Sequence, residues 1–397
     1  MQLLNAVYCF LLLTLVSANR YLISLKSTET LDSFFKYDIN YPLGQRAKAF
    51  VSDMFSIGNF SGFSGDFSKS VMERLKKCPM IADITPDINV KAYELVTQED
   101  APRHLARLSQ RKKLMEDFKY VYNSLSSGLG VNAYVLDSGI EITHPEFEKR
   151  AKIGRDFTEE GSGDINGHGT HVAGIIGSKL YGVSKNVNII EIKALDQTGA
   201  GSLSTVIAAI EFAVNHRKDS GKPGVANLSL GAVKNKVLNM AIEAAVDTGL
   251  VVVVAAGNSN VNACMTSPAS AASAITVGAI DDHFDSISSF SNWGECVDIF
   301  ASGTAVHSVN ARNTERSQVL SGTSMSAPII SGLAANLLSE GVPPASVKDT
   351  IIELSTKKKI PRSSLFFKKR TPNRIAYNGM ETMPDEESDS ESDSDED

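Results

Sequence analysis

Between Val131 and Ala255 short apolar runs alternate with segments of helical spacing, and this alternation constrains the fold more than any other feature of the chain. Val131 to Leu136, Val187 to Ile192, Val225 to Leu230 and Val251 to Ala255 are the apolar runs, the second and fourth rich in β-branched residues; Val172 to Ser178, Ser202 to His216 and Val237 to Thr248 lie between them. Apolar runs without polar alternation belong to strands buried on both faces, and helical crossovers join strands that run parallel. The expected fold class is α/β, a mainly parallel sheet with helices on both faces. At 397 residues the chain also has room for a second, smaller domain. Such sheets bind ligands at the carboxyl ends of their strands, and Asp137 and Asn258 each follow one of the apolar runs.

Three segments carry reactive side chains. Gly322-Thr323-Ser324 sets a serine at a glycine-marked turn, ahead of a helical run from Ile329 to Leu338; Val135-Leu136-Asp137-Ser138-Gly139 ends a strand with a carboxylate; Asn166-Gly167-His168-Gly169-Thr170-His171 places an imidazole among small residues. A serine hydroxyl is a poor nucleophile without a base, an exposed position and donors for the developing anion. The G-x-S-x-G elbow and the H-E-x-x-H zinc pattern are both absent from the chain.

With these motifs in the order Asp137, His168, Ser324, the chain from about Tyr21 to Tyr377 resembles the subtilisin-like serine proteases, in the branch that holds proteinase K and cerevisin. The resemblance implies that Ser324 attacks a substrate carbonyl, His168 acts as general base and then general acid, and Asp137 orients the ring. It assigns the oxyanion hole to the Asn258 side chain and the Ser324 backbone N–H, since Ala255-Ala256-Gly257-Asn258 matches the corresponding segment; one such donor is worth about 3 kcal/mol. His171, three residues after His168, reads as a structural histidine at a helix entry, with a metal ligand as the alternative. Gly199-Ala200-Gly201 is expected to pair its backbone with an extended peptide. Ser229, Leu230 and Gly231, with Ala255, Ala256 and Gly257, are expected to wall the pocket for the residue before the cut. Neither stretch holds the acidic residues by which kexin and furin relatives select dibasic sites, so apolar or aromatic preference with broad tolerance is expected. Asp298, with the carbonyls of Ala272 and Ala274, matches a family calcium site, the alternative being a plain turn carboxylate.

The rest of the chain fits a secreted zymogen. Met1 to Ala18 reads as a signal peptide, with an apolar stretch Leu3 to Val16 too short to span a membrane, although no Lys or Arg precedes it. Residues 19–97 resemble the family's inhibitory pro-domain: a strand at Tyr21 to Leu25, helical spacing at Gly44 to Phe55 and Phe67 to Lys77, then strands at Ile81 to Asp87 and Val90 to Tyr93. A free-standing accessory domain is the alternative. The resemblance implies self-cleavage near Leu95 to Gln98, a peptidase domain over 98–379 opened by the arm Ala101 to Arg107, and an acidic tail at 380–397.

With Cys9 in the signal and Cys78 in the pro-segment, Cys264 and Cys296 remain. An even pair in an oxidising compartment suggests a disulfide, in contexts similar to paired cysteines of some relatives; two reduced thiols are the alternative. Closing a loop of about 30 residues contributes on the order of 3 kcal/mol. Residues 381–397 carry ten acidic side chains and no Lys or Arg, so removing them from the net charge of −7 leaves +3. Nothing in that balance points to nucleic acid. The tail reads as disordered and solubilising. Asn59 and Asn227 begin N-glycosylation patterns, the second on a strand expected to be buried. A monomer acting on proteins or peptides, inhibited by its own pro-segment, is the expected whole; a catalytically silent binding or wall protein and a dibasic processing protease are its rivals.

Overall fold

The computed structural model describes residues 19–36, 47–87, 94–116 and 118–380. The signal stretch, the Val90 to Tyr93 strand and the acidic tail lie outside them. Contacts divide the chain into two units, Met1–Asn89 and Val90–Asp397.

In the first unit four antiparallel strands stand in the order Val51–Ile57, Phe60–Phe67, Asn19–Leu25, Ile81–Pro86. Phe34 of the Leu31–Lys36 helix and Leu75 of the Lys69–Leu75 helix cover it, closing a core with Ile23, Phe63 and Phe67. The expected helix at Gly44 to Phe55 is corrected here: from Val51 the chain is a strand, turned back at Gly58 and Asn59 onto Phe60–Phe67. Its apolar residues fit a helical face, but the hairpin ladder gives the backbone cross-strand partners, and pairing overrides local spacing.

The second unit is built on seven parallel strands in the order Ile299–Ser302, Ile275–Asp281, Val251–Ala255, Gly224–Leu228, Asn132–Asp137, Asn188–Lys193, Ala151–Asp156. Short strands Arg374–Ile375 and Thr356–Lys357 extend one edge. One face packs against helices His168–Gly177, Thr323–Ser339 and Pro344–Leu354; the other packs against Leu203–Ser220 and Lys236–Asp247. Val252 and Val254 enter one core and Val251 and Val253 the other, which is why this strand tolerates no polar residue. Asn132–Asp137 lies between Asn188–Lys193, reached later in the chain on one side, and Gly224–Leu228 on the other. The winding direction reverses at that strand, so a crevice opens at its carboxyl end, where Asp137 sits.

Leu95–Gln98 pairs antiparallel with Tyr120–Asn123 inside this second unit. The following arm is the helix Arg103–Leu108, anchored by ion pairs of Arg103 with Asp282 at 2.6 Å and of buried Arg107 with Asp285 at 2.7 Å. Cys264 and Cys296 form a disulfide. Among the described residues no helix is long and apolar enough to cross a membrane.

Candidate active site

Asp137 ends its strand fully buried, and its Oδ1 accepts from the Ser138 N–H at 2.8 Å and from His168 Nδ1 at 2.7 Å. His168 opens its helix, and the ring remains 27% exposed because its other edge lines the cleft. Burial alone would lower the His168 pKa. The charge and hydrogen bond of Asp137, aided by the charge of Asp164, outweigh burial and hold it above the ordinary 6.5.

Asp164 holds this turn together. Its Oδ1 accepts from Ser138 Oγ at 2.9 Å and the Gly167 N–H at 2.8 Å; its Oδ2 accepts from the Thr170 N–H at 2.8 Å and Thr170 Oγ1 at 2.7 Å. Ser138 Oγ accepts in turn from the Gly169 N–H. One carboxylate thus ties the strand end bearing Asp137 to the helix start bearing His168. His171 is buried, with Nε2 3.1 Å from the carbonyls of both Val306 and Gln318. Only a protonated Nε2 serves those acceptors, so the ring is a neutral strut, its pKa pushed down to about 4 chiefly by burial.

Ser324 is the second residue of the Thr323–Ser339 helix, which begins before the expected Ile329. Pro328 reads as a boundary in sequence, but it stands inside the helix as its sixth residue, where its missing N–H removes one backbone hydrogen bond. It leaves the Ser324 carbonyl without the usual helical donor, and Ser229 Oγ supplies one at 2.9 Å. The Ser324 hydroxyl donates back to the Ser229 carbonyl at 3.3 Å; among the described residues no hydrogen bond joins it to His168. Asn227 Nδ2 donates to Ser229 Oγ, and Ser331 Oγ to Asn227 Oδ1, a buried chain that docks the Ser229 segment onto the helix. These bonds occupy the side chain of Asn227, which is 1% exposed and so out of reach of glycosylation.

The Ser324 N–H has no acceptor among the described residues, as expected in a first helical turn. Asn258 Oδ1 accepts from the Thr323 N–H and Thr323 Oγ1, both at 2.8 Å, which fixes the amide so that Nδ2 faces away from them. Thr323 Oγ1 also accepts from the Gly257 N–H at 3.1 Å. Buried Asn292 braces the same loop, donating to the Ala256 carbonyl and accepting from the N–H groups of Ser259 and Val261. Gly257 has φ +101°, and a Cβ there would stand 2.5 Å from Asn292 Nδ2, so only glycine fits.

Two clefts meet at Ser229–Ala232. One of about 500 Å³ is lined by Asp137, His168, Gly199, Gly201, Leu203 and Leu230. The other, about 600 Å³, holds Ser324, Asn258, Ala255, Ala256 and Gly257 with Val233, Val261 and Met265, and no charged side chain. The expected pairing edge is corrected at Ala200 alone. The Ala200 N–H and C=O are both bonded to Asp196, and the Gly199 N–H also goes to Asp196, while among the described residues no hydrogen bond uses the Gly199 carbonyl or the backbone of Gly201.

The calcium expectation is corrected too. Asp298 Oδ2 and the carbonyls of Ala272 and Ala274 do converge, but on the Lys348 ammonium, at 2.9, 3.0 and 2.7 Å. The ammonium fills the place a metal ion would take, so with Lys348 present these residues do not fit one.

Asp164, Thr323, Asn292 and Ser229's link to Ser324 were not read from sequence. Asp164 and Thr323 stand close to His168 and Ser324 in the chain, which is their only sequence signal, and Asn292 carries none.

A sheet with an acid and an imidazole joined at one strand end, and a serine at a helix start with an oriented amide beside it, defines a class of serine hydrolase. The subtilase family matches residues 128–369. Over 94% of its length the chain is 42% identical to the subtilase-type proteinase RRT12 of Saccharomyces cerevisiae, of which it covers 85%. It is 39% identical to cerevisin of the same yeast over 89% of its own length and 59% of cerevisin's. A cold-adapted subtilisin-like serine proteinase of known structure superposes with a TM-score of 0.64, at 39% identity, over 70% of this chain and 98% of that one. The chain belongs to the subtilase family of subtilisin-like serine proteases.

Proposed function

We propose that the protein is an active serine endopeptidase that cuts peptide bonds through Asp137, His168 and Ser324. The observation that carries this reading is the 2.7 Å Asp137–His168 hydrogen bond, in a cleft that meets, at Ser229–Ala232, the one holding Ser324 and the oriented Asn258 amide. Nδ1–H bonded to a buried carboxylate leaves Nε2 to take the Ser324 proton. Rotation about χ1 moves the hydroxyl from the Ser229 carbonyl toward the ring, and unliganded sites commonly hold this bond open. The Ser324 N–H and Asn258 Nδ2 then face the oxyanion. The silent alternative draws on the Ser324–Ser229 bond alone.

The uncharged second cleft supports an apolar or aromatic residue before the cut. A dibasic processing protease is the competing specificity, and an obligate Arg or Lys in a peptide-library profile would establish it. Residues 19–97 act as an intramolecular inhibitor of a zymogen that enters the secretory route. Because Leu95–Gln98 is held in a strand pair, the scissile bond falls toward the start of that stretch. Intact-mass analysis tests the whole reading. Wild-type protein loses about the first 95 residues, whereas Ser324→Ala retains the segment after the signal. Equal trimming of both proteins in a protease-free preparation would refute self-processing.

A further inference from the structure

We propose that Lys348 is a tethered cation that does the work of a divalent metal ion in the turn behind the substrate cleft. The turn runs from Thr266 and Ser267, which line the uncharged cleft, to the strand that begins at Ile275. Its two carbonyls at Ala272 and Ala274 point the same way, with Asp298 Oδ2 beside them. Three oxygens aimed at one point repel each other unless a positive charge sits between them.

Lys348 reaches that point from the Pro344–Leu354 helix, and its three N–H donors match the three acceptors one for one. The separations of 2.7–3.0 Å are those of an ammonium donating hydrogen bonds. Calcium would draw oxygens to about 2.3–2.6 Å and ask for six to eight of them. Asp298 Oδ2 also accepts from the Thr276 N–H at 2.9 Å, so this oxygen takes two hydrogen bonds without a metal. The single positive charge balances the single carboxylate. A bound ion can be lost to a chelator or to dilution; an ammonium on a helix cannot, and it additionally ties that helix to the turn. This inference rests on the fold alone and is independent of the proteolytic reading.

The test is thermal unfolding of the full chain in a Ser324→Ala background, which prevents self-digestion. The parent is expected to melt at the same temperature in excess chelator and in excess calcium chloride, apart from any response shared by Asp298→Asn. Lys348→Ala is expected to melt lower by about 3–6 °C in chelator, because Asp298 is left unpaired, and to regain part of the loss in calcium. Lys348→Met fills the space without charge and is expected to melt lower in both solutions. A calcium-dependent rise in the parent that Asp298→Asn abolishes would overturn the proposal. So would Lys348→Met melting with the parent, or Lys348→Ala showing no calcium response. If Lys348→Ala does not accumulate folded, the parent, Asp298→Asn and Lys348→Met decide the matter without it.

Discussion

Thr323→Val removes one hydroxyl and keeps the shape of the side chain, and it isolates what holds the oxyanion donor in place. In the wild type, Asn258 Oδ1 takes two hydrogen bonds from Thr323, one from the backbone N–H and one from Oγ1, each 2.8 Å long. Valine keeps the first and loses the second, and it strands the Gly257 N–H that Oγ1 accepts at 3.1 Å. A neutral hydrogen bond is worth about 0.5–1.5 kcal/mol net, and a buried donor left unpaired costs about 1–3 kcal/mol. The stability loss is therefore about 2 kcal/mol, read as a lower midpoint in denaturant. The catalytic loss is bounded by the full worth of the Asn258 donor, about 3 kcal/mol. Half of it, from a loosened amide, lowers kcat about tenfold with KM unchanged. The decisive assay is a double-mutant cycle on a chromogenic peptide. If Thr323 acts through the Asn258 amide, adding Thr323→Val to Asn258→Ala lowers kcat no further. Equal losses in both backgrounds would refute that coupling.

Asp164→Asn sets an NH₂ or a weaker acceptor against donors that a carboxylate satisfies, and removes a charge that raises the His168 pKa. kcat is expected to fall about tenfold and the rising limb of the kcat/KM–pH profile to move to lower pH, a shift that mere loosening of the fold does not produce. In the wild type that limb should lie above pH 6.5, since His168 must be neutral to act as base and its pKa is raised. Stability should fall with acid for a separate reason. Burial pushes His104 to about 3 and His171 to about 4, so below pH 6.5 the unfolded chain binds protons that the folded one refuses. By linkage, the contribution of these two rings is whole above about pH 6.5 and declines on the order of several kcal/mol by pH 4; His104→Gln should flatten that decline in denaturant titrations at stepped pH.

Much of the architecture was legible because buried parallel strands leave a plain signature: Val251 to Val254 has no polar residue and can only be inside. Asp137, His168 and Ser324 were legible because each sits among small residues that let the backbone turn closely. Their supports were not. Asp164 reads as an ordinary turn aspartate, and Pro328 as the boundary of a helix that in fact starts at Thr323. Asn292 and Lys348 meet their partners only after folding. Lys348 in particular looks like an exposed helix lysine until the Ala272–Ala274 turn is placed against it. Gly44 to Phe55 shows the opposite failure, where helical spacing was present and a hairpin partner outweighed it.

The central claim is that Ser324 is an activated nucleophile served by His168. It is tested most directly by reacting the purified protein, freed of residues before Leu95, with a fluorophosphonate and mapping the adduct by peptide mass. The account predicts a single adduct per chain on Ser324, lost in His168→Ala. A folded protein that stays unmodified, or one that His168→Ala labels equally fast, would contradict it.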